Sequence, residues 1–170
     1  VLVFKQMSSA LAVALFTKSS AGTLPVTLAS AEQNMKVNRS VSRFVLPICT
    51  TINMNGCAAF ILTTSLFVMQ NAGFDLSLNT MILWIFIAVI SAIGNAGVPM
   101  GCYFLTLSLM SSIGAPLGLM GVILPIYTII DMIETAENVW SDAAVCAMTN
   151  HDLKDVLEKE SENPVHAAVL

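Results

Sequence analysis

Charged residues are scarce in this sequence. Lysine and arginine together number seven and aspartate and glutamate eleven, so that 11% of the 170 residues are charged whereas 56% are hydrophobic. Soluble globular domains carry about 25% charged residues, and a chain so far below that value is typical of an integral membrane protein. The few basic residues form no patch with interleaved aromatic residues, which argues against nucleic acid as a partner.

The sequence also lacks the residue clusters on which many enzymes depend. Both histidines, His151 and His166, lie in the polar C-terminal tail, so we expect no His–Cys metal site in the apolar part. Ser19 and Ser20 have no neighbouring histidine that could act as a base. No CxxC pair is present, and we predict that the cysteines are reduced packing residues: Cys49, Cys57, Cys102 and Cys146. The protein is therefore not expected to be an enzyme.

Uninterrupted apolar runs are shorter than the hydrophobic content would suggest. A transmembrane helix needs about 20 consecutive apolar residues. The first run stops at TKSSAGTLP, and a later one, MILWIFIAVISAI, breaks at GNAGVPMG. Segments 1–35 and 79–113 each have the pattern of two short helices joined by a small-residue tip that contains proline. We therefore predict two re-entrant helical hairpins.

Two longer segments complete the predicted all-α membrane fold. Residues 43–73 are long enough to cross a bilayer, but Asn53, Asn55 and Gly56 in the middle predict a broken transmembrane helix. Residues 115–150 are predicted to form a polar final transmembrane helix, and residues 151–170 a polar cytoplasmic tail. Unwound backbone at TTINMNG and AIGNAG would expose carbonyl oxygens, which are the ligands that hard cations prefer.

The distribution of basic residues predicts an orientation. Three of them lie between the first hairpin and the broken helix: Lys36, Arg39 and Arg43. The loops near residues 75 and 115 contain neither lysine nor arginine. By the positive-inside rule the first hairpin enters from the cytoplasm, the second from outside, and the C-terminus is cytoplasmic in a multi-pass protein of the plasma (inner) membrane. One hairpin from each face indicates an inverted repeat, whose discontinuous helices surround a midplane binding site.

Acidic residues are concentrated in the stretch IIDMIETAENVWSD, residues 129–142. On a helical wheel with about 100° per residue, five polar residues form one stripe about 100° wide: Asp131, Glu134, Thr135, Asn138 and Asp142. Glu137 lies about 120° from Asp131 and is interpreted as structural. A carboxylate at the bilayer centre costs roughly 3 kcal/mol or more, so the stripe must face a cavity, an ion or a partner.

Four motifs resemble, in order and spacing, the core of the glutamate transporter (dicarboxylate/amino acid:cation symporter) family: SSAGTLPVT, TINMNG, AIGNAGVP and IIDMIETAENVWSD. The likeness extends from about Phe4 to Leu153. It implies an elevator-type transport domain over residues 1–150, which carries substrate and Na⁺ together, with the second hairpin as extracellular gate. It also implies an N-terminal scaffold that forms a homotrimer. Because this chain begins at Val1 rather than at methionine, we expect that scaffold to precede it in a longer protein.

The resemblance implies that the substrate is a small amino acid and that it binds to residues of the stripe and the hairpin tips. Asp131 corresponds to the residue that binds the substrate α-amino group, and Thr135 and Asn138 to residues around the α-carboxylate. Cys57 replaces a threonine that meets the side chain of an acidic substrate. The implied substrate-binding residues are Ser20, Ala21, Cys57, Val98, Asp131, Glu134, Thr135 and Asn138.

The resemblance further implies two sodium sites. One would be formed by Asp142 together with carbonyl groups at Cys49, Asn53 and Asn138. The second would be formed by the carbonyl groups of Thr51, Met54, Ala92, Ile93 and Asn95. A third site is disfavoured because Asn55 replaces the aspartate of that site, although a coupled proton could compensate.

Glu134 departs from the family pattern, because members that carry acidic substrates have an arginine at this position. Two charges about 4 Å apart interact by roughly 4 kcal/mol at an effective dielectric constant near 20. We therefore predict a neutral or basic substrate rather than aspartate or glutamate. Glu134 would bind the substrate side chain, carry a coupling proton, or form an ion pair with Lys18 at the first tip. The alternatives are an acidic-substrate symporter with an atypical pocket, or a channel-like or degenerate non-transporting fragment.

Overall fold

The structure, a computed structural model, describes residues 2–161 and the side chains as far as Leu157, and in this range it contains helices and no strand. The helices are, in chain order, α1 Leu2–Gln6, α2 Ser8–Thr17, α3 Ser20–Gln33, α4 Arg39–Ile52, α5 Asn55–Asn71, α6 Leu78–Ile93, α7 Gly101–Ser112, α8 Gly118–Asp152 and α9 Lys154–Ser161. For residues 2–161, the prediction of an all-helical fold is confirmed. Within the predicted tail, α9 ends at Ser161, and residues 162–170 lie outside the described part.

The first pair of helices, α2 and α3, pack against each other and are joined by a two-residue turn. Lys18 ends α2 in the left-handed conformation (φ 53°), and its N–H donates to the carbonyl of Ala14. Ser19 then caps α3 by accepting a hydrogen bond from the Gly22 N–H at 3.0 Å. The helix therefore starts at Ser20, and Pro25 lies inside it. The prediction that the first tip contains the proline is wrong, because the serine cap starts the helix before the proline is reached.

The next helix is interrupted where the sequence predicts it. Only Asn53 and Met54 separate α4 from α5, and the Asn53 N–H still closes α4 by donating to the carbonyl of Cys49 at 2.8 Å. The Asn53 side chain donates to Ser141 and Asp142 of α8, each at 2.9 Å. The break thus lies against α8 and is held there by side-chain hydrogen bonds.

The third pair of helices, α6 and α7, is separated by the tip at residues 94–100 and packs mainly on α5. Aromatic residues fill the centre of this packing, and the Tyr127 ring lies 4.6 Å from the ring centroid of Phe60 and 5.5 Å from that of Tyr103. The outer face of α6 instead exposes large hydrophobic side chains: Leu83, Phe86 and Ile90. An apolar outer face of this kind suits lipid or another protein rather than water.

The 35-residue helix α8 organises the fold, because α2, α3, α4 and α5 all contact it. Among the described residues, the segments Arg39–Asn71 and Gly118–Asp152 are long and apolar enough to cross a membrane. The last turn of α8 lies beside the start of α4, where the Asn38 N–H donates to the side chain of Asn150 at 2.8 Å. Nearby, Glu32 binds Arg43 at 3.1 Å and Arg39 at 3.4 Å and joins α3 to α4.

Candidate functional site

Both helical tips and the break between α4 and α5 meet at Gly97. The Ser19 hydroxyl donates to the carbonyl of Gly97 at 2.9 Å. A β-carbon on Gly97 would lie 3.1 Å from the carbonyl oxygen of Thr50 and 3.2 Å from the methyl carbon of Met54. With φ at +67°, this position also has a backbone conformation that favours glycine. The junction therefore depends on glycine for both space and conformation.

The polar stripe of α8 faces this junction and is buried along its length. Five predicted residues belong to it and none is more than 6% exposed: Asp131, Glu134, Thr135, Asn138 and Asp142. Glu137 lies to one side and is half-buried, with its Oε2 atom close to the position that a β-carbon on Gly56 would take. The helical wheel thus predicts correctly which polar side chains share the buried face.

Asp131 is held by groups from two directions. Its Oδ2 atom accepts a hydrogen bond from the backbone N–H of Met100, at the end of the second tip, at 3.2 Å. Its Oδ1 atom lies 3.4 Å from the hydroxyl of Tyr127, which is itself fully buried. The same hydroxyl donates to Glu134 Oε2 at 3.1 Å. Since a phenol has a single hydrogen, one donor serves two buried carboxyl groups.

Tyr127 is a site residue that the sequence analysis missed. It lies four residues before Asp131 and therefore on the same face of α8, which is the signal that could have revealed it. Aromatic residues near membrane spans have many other roles, so the position alone carries little weight. The structure shows its specific contribution, a hydroxyl between the two carboxyl groups.

The ion pair with Lys18, one of the three roles considered for Glu134, is not formed in this structure. Among residues 2–157 no ion pair involves Glu134, whose Oε2 atom is directed at Tyr127 and whose Oε1 atom is buried without a hydrogen-bond partner. The Glu134 carboxyl group instead lies near Cys57 of α5 and Cys102 of α7, so the other two roles considered for it stay open.

Two cysteines form a disulfide, Cys57 with Cys102, which contradicts the prediction that all four are reduced. The two residues are 45 positions apart with no motif between them, but the packing of α5 on α7 brings their Cα atoms to 5.6 Å, a distance typical of disulfides. Cys49 and Cys146 are free and buried, as predicted. The Asn95 side chain donates to both bridged sulfur atoms, at 3.1 and 3.3 Å.

The polar side-chain groups of Asn138 and Thr135 form hydrogen bonds within the protein. The Asn138 side-chain oxygen accepts from the Gly56 N–H at 2.9 Å, directly after the helix break. The Thr135 hydroxyl donates to the carbonyl of Asp131 at 2.7 Å. In the predicted set, Ser20 is buried, whereas Ala21 and Val98 at the tips are exposed.

The structure brings together some of the residues predicted for the first sodium site. Asp142 is 1% exposed, and its Oδ1 atom accepts from the Asn53 side chain. Ser141, which the sequence analysis missed, accepts from Asn53 at 2.9 Å and from Asn55 at 2.6 Å. Within the described residues no basic side chain pairs with Asp142. A buried carboxylate without a basic partner suits a cation, so this donor set fits sodium.

The residues predicted for the second sodium site differ in burial. Met54 and Ala92 belong to one core cluster, and Asn95 is buried beside it, with its N–H donating to the carbonyl of Ala92 at 3.1 Å. The side chains of Thr51 and Ile93 are exposed. The helices that carry them, α4 and α6, are in contact.

An apolar groove of about 590 Å³ runs between α5 and α8 and borders the site. Its lining includes Glu134 and Glu137, and the remaining walls are largely isoleucine and phenylalanine. None of its lining residues is basic. The groove therefore offers no counter-charge to an anionic group.

Helices α5 and α8 approach each other closely at Gly56. A β-carbon there would lie 2.9 Å from the Cα atom of Glu134 and 3.0 Å from its carbonyl oxygen. We expect Gly56→Ala to destabilise the protein by about 1–3 kcal/mol because the two backbones must separate. Gly121→Ala is the matched control, since Gly121 is also helical and has open space around it. Thermal unfolding in detergent measures both changes, and equal melting temperatures for the two variants would contradict the prediction.

Comparison with known proteins gives a match over most of the chain. The family model described as sodium:dicarboxylate symporter matches residues 1–152. The glt-4 protein of Caenorhabditis elegans, named as a sodium-dependent excitatory amino acid transporter, is 36% identical over 90% of this chain and 31% of its own length. Excitatory amino acid transporter 3 of Mus musculus is 36% identical over 81% of this chain and 26% of its own length.

A third relative, excitatory amino acid transporter 1 of Ambystoma tigrinum, is 33% identical over 84% of this chain and 26% of its own length. The chain thus spans less than a third of the length of these curated relatives. The match nevertheless includes all four motifs, the tips, the helix break and the polar stripe of α8. From this agreement we conclude that the chain belongs to the sodium:dicarboxylate symporter family.

Proposed function

We propose that this chain is the transport domain of a sodium-coupled amino-acid symporter. The observation that carries the proposal is the buried Asp131 carboxyl group, which meets the Met100 amide of the second tip and the Tyr127 hydroxyl at the junction of the helix break and both tips. Discontinuous helices that meet in this way are the usual setting of a transporter binding site. The family and its relatives, which are named as sodium symporters or amino-acid transporters, support the same activity.

Asp131 is proposed to bind the substrate α-amino group, because a buried carboxylate is the natural partner of an ammonium ion. Thr135 and Asn138, one and two turns further along the same face, are proposed to lie around the α-carboxylate. The exposed tip residues Ala21 and Val98 would contribute backbone N–H groups, and Ser20 would complete the set. Opening of the second tip would break the Met100 contact and release Asp131 for the substrate.

Sodium is proposed to bind at the far end of the stripe. Asp142 would supply the negative charge, with carbonyl oxygens from Cys49, Asn53 and Asn138 around it. The carbonyls of the second group, at the ends of α4 and α6, would hold a further ion. Asn55 donates to Ser141 and supplies no charge, which supports two sodium sites rather than three.

The proposed substrate is a neutral or basic amino acid. Glu134 Oε1 is buried without a hydrogen-bond partner, and a carboxylate oxygen of Glu134 lies within 4.8 Å of the sulfur atom of Cys57, the position that the resemblance gives to the substrate side chain. No basic residue lines the neighbouring groove. A second candidate, an acidic substrate, is favoured by the names of the relatives, which specify excitatory amino acids, and by the family description, which specifies dicarboxylates.

An elevator mechanism is proposed for the movement across the membrane. Helices α2–α3 and α6–α7 would be re-entrant hairpins, with the second as the extracellular gate, and residues 1–150 would move as one body against an N-terminal scaffold in a homotrimer. The exposed apolar face of α6 supports contact with lipid or scaffold. The contact of Asn38 with Asn150 places the basic segment near Lys36 beside the C-terminal end of α8. Because basic segments favour the cytoplasmic side, this contact supports a cytoplasmic C-terminus in the plasma membrane.

Uptake by the full-length protein in proteoliposomes tests the proposal. With an inward sodium gradient we expect accumulation of radiolabelled serine, alanine or lysine that exceeds accumulation of aspartate, because Glu134 repels a second carboxylate. Replacement of sodium by choline is the control and should abolish accumulation. Preference for aspartate would support the second candidate. Substrate-independent current without accumulation would contradict symport and indicate a channel-like protein.

A further inference from the structure

Three potential metal ligands lie together between α5, α7 and α8. The sulfur atoms of Cys57 and Cys102 and a carboxylate oxygen of Glu134 all lie within 4.8 Å of one another. The three residues are 2%, 1% and 6% exposed, so that they form a closed cluster rather than a surface patch. Each comes from a different helix, and the cluster is therefore created by tertiary packing.

Two residues in contact with the sulfur atoms, Glu134 and Asn95, each have a buried oxygen atom without a hydrogen-bond partner. Glu134 Oε1 is one of them, although the other oxygen of that carboxyl group is bound by Tyr127. Asn95 Oδ1 is the second, although the amide nitrogen of that residue donates to both sulfur atoms. Burial of an unpaired polar atom costs about 1–3 kcal/mol, so its retention calls for an occupant or a function. A cation at the cluster would satisfy the Glu134 oxygen.

The chemistry of the donor set selects the kind of cation. Two thiolates and one carboxylate suit zinc and related soft or borderline ions rather than sodium, magnesium or calcium. With bonds of about 2.3 Å to sulfur and about 2.1 Å to oxygen, a tetrahedral zinc ion spaces its ligand atoms by roughly 3.6 Å. The separations in the cluster are close enough that the side chains need to move by only about 1 Å. The donating amide of Asn95 would stabilise the charge on the thiolates.

The disulfide and the metal are alternatives, because a bridged sulfur atom is not a thiolate. A dithiol reductant would transfer two electrons and two protons to the Cys57–Cys102 bond, giving two thiols while it forms its own disulfide. Binding of the cation then displaces the two thiol protons to solvent. We propose that reduction of the Cys57–Cys102 disulfide converts this cluster into a binding site for zinc, with Cys57, Cys102 and Glu134 as ligands.

The test is a zinc titration of the full-length protein in detergent, which does not depend on transport. We expect the protein reduced with dithiothreitol, after removal of the reductant, to bind one zinc ion more per chain than the protein oxidised with diamide. Maleimide labelling after denaturation verifies that reduction exposes two additional thiols. Cobalt in place of zinc should give a thiolate-to-metal charge-transfer band only in the reduced protein. Equal zinc binding by both forms would overturn the proposal.

Variants identify the ligands. Cys57→Ser, Cys102→Ser and Glu134→Gln should each weaken the additional zinc binding by at least about 100-fold, because changes in outer-shell residues alone cost about 10–100-fold. Cys146→Ser is the matched control, since Cys146 is also buried but lies outside the cluster, and its zinc binding should be unchanged. Retention of the additional site in Cys57→Ser or Glu134→Gln would contradict the assignment. If the serine variants do not fold, Glu134→Gln keeps both cysteines and decides the outcome.

Discussion

Replacing Asp131 by asparagine is expected to reduce sodium-dependent amino-acid uptake by about two to three orders of magnitude. The change removes the negative charge opposite the proposed ammonium group. A pair of unit charges at about 4 Å contributes roughly 4 kcal/mol at an effective dielectric constant near 20, and about 1.4 kcal/mol corresponds to a factor of ten. The loss should appear in kcat/KM for every substrate that has an α-amino group.

Asparagine was chosen because it preserves the shape of the site. Its side-chain oxygen can still accept the hydrogen bond from the Met100 N–H, so the second tip should keep its place. Asp75→Asn, in the exposed loop before α6, is the matched control and should transport normally. Initial uptake rates at several substrate concentrations measure both variants. Wild-type kcat/KM in Asp131→Asn would remove this carboxylate from substrate binding.

Replacing Glu134 by arginine is expected to raise the selectivity for aspartate over serine by about a thousandfold. The substitution turns a repulsion of the substrate side-chain carboxylate into an attraction, and each contribution amounts to roughly 4 kcal/mol before screening and side-chain rearrangement reduce it. The measured quantity is the ratio of kcat/KM for the two substrates in competition uptake. An unchanged ratio would show that Glu134 does not determine selectivity.

Glu134→Gln separates the loss of the repulsion from the gain of the attraction. It removes the charge with almost no change in volume, and its amide can still accept the hydrogen bond from Tyr127. We expect an intermediate selectivity, because the repulsion is lost and no attraction is gained. A glutamine variant that equals the wild type, together with an arginine variant that does not, would indicate a steric effect of arginine instead.

Local features of the sequence were sufficient to predict most of the helices and the buried stripe. The helix is interrupted at Asn53 and Met54, directly beside Asn55 and Gly56, and the poor helix propensity of these asparagine and glycine residues predicts a break here. The spacing from Asp131 to Asp142 corresponds to three helical turns and therefore determines a shared face. In both cases the decisive information lies within a few residues of the feature itself.

The tip of the first hairpin could not be predicted from composition alone. Pro25 suggests a turn, but the side chain of Ser19 satisfies a free backbone N–H group and starts α3 before it. A proline within a helix removes one hydrogen bond without necessarily ending the helix, and here the flanking packing against α2 and α4 maintains it.

Contacts between distant segments were the least predictable part of the site. The Cys57–Cys102 bridge and the hydroxyl of Tyr127 between two carboxyl groups depend on how α5, α7 and α8 pack, and no local pattern encodes that packing. Lys18 and Glu134 have opposite charges in the same region, which made an ion pair a reasonable expectation. The direction of each side chain, however, is set by its own helix and by the groups around it.

The length of the stripe on α8 limits the direct electrostatic interaction between charges at its two ends. Asp131 and Asp142 are eleven residues apart, which corresponds to about 16 Å along the helix axis at 1.5 Å per residue. At that distance two unit charges interact by only about 1 kcal/mol even at an effective dielectric constant of 20. Thermodynamic linkage between ligands at the two ends would therefore have to pass through the break between α4 and α5. Asn53 in the break binds Asp142, and Gly56 in the first turn of α5 binds Asn138. Cooperativity in this domain would then be mechanical, arising from the position of the break rather than from attraction between bound charges.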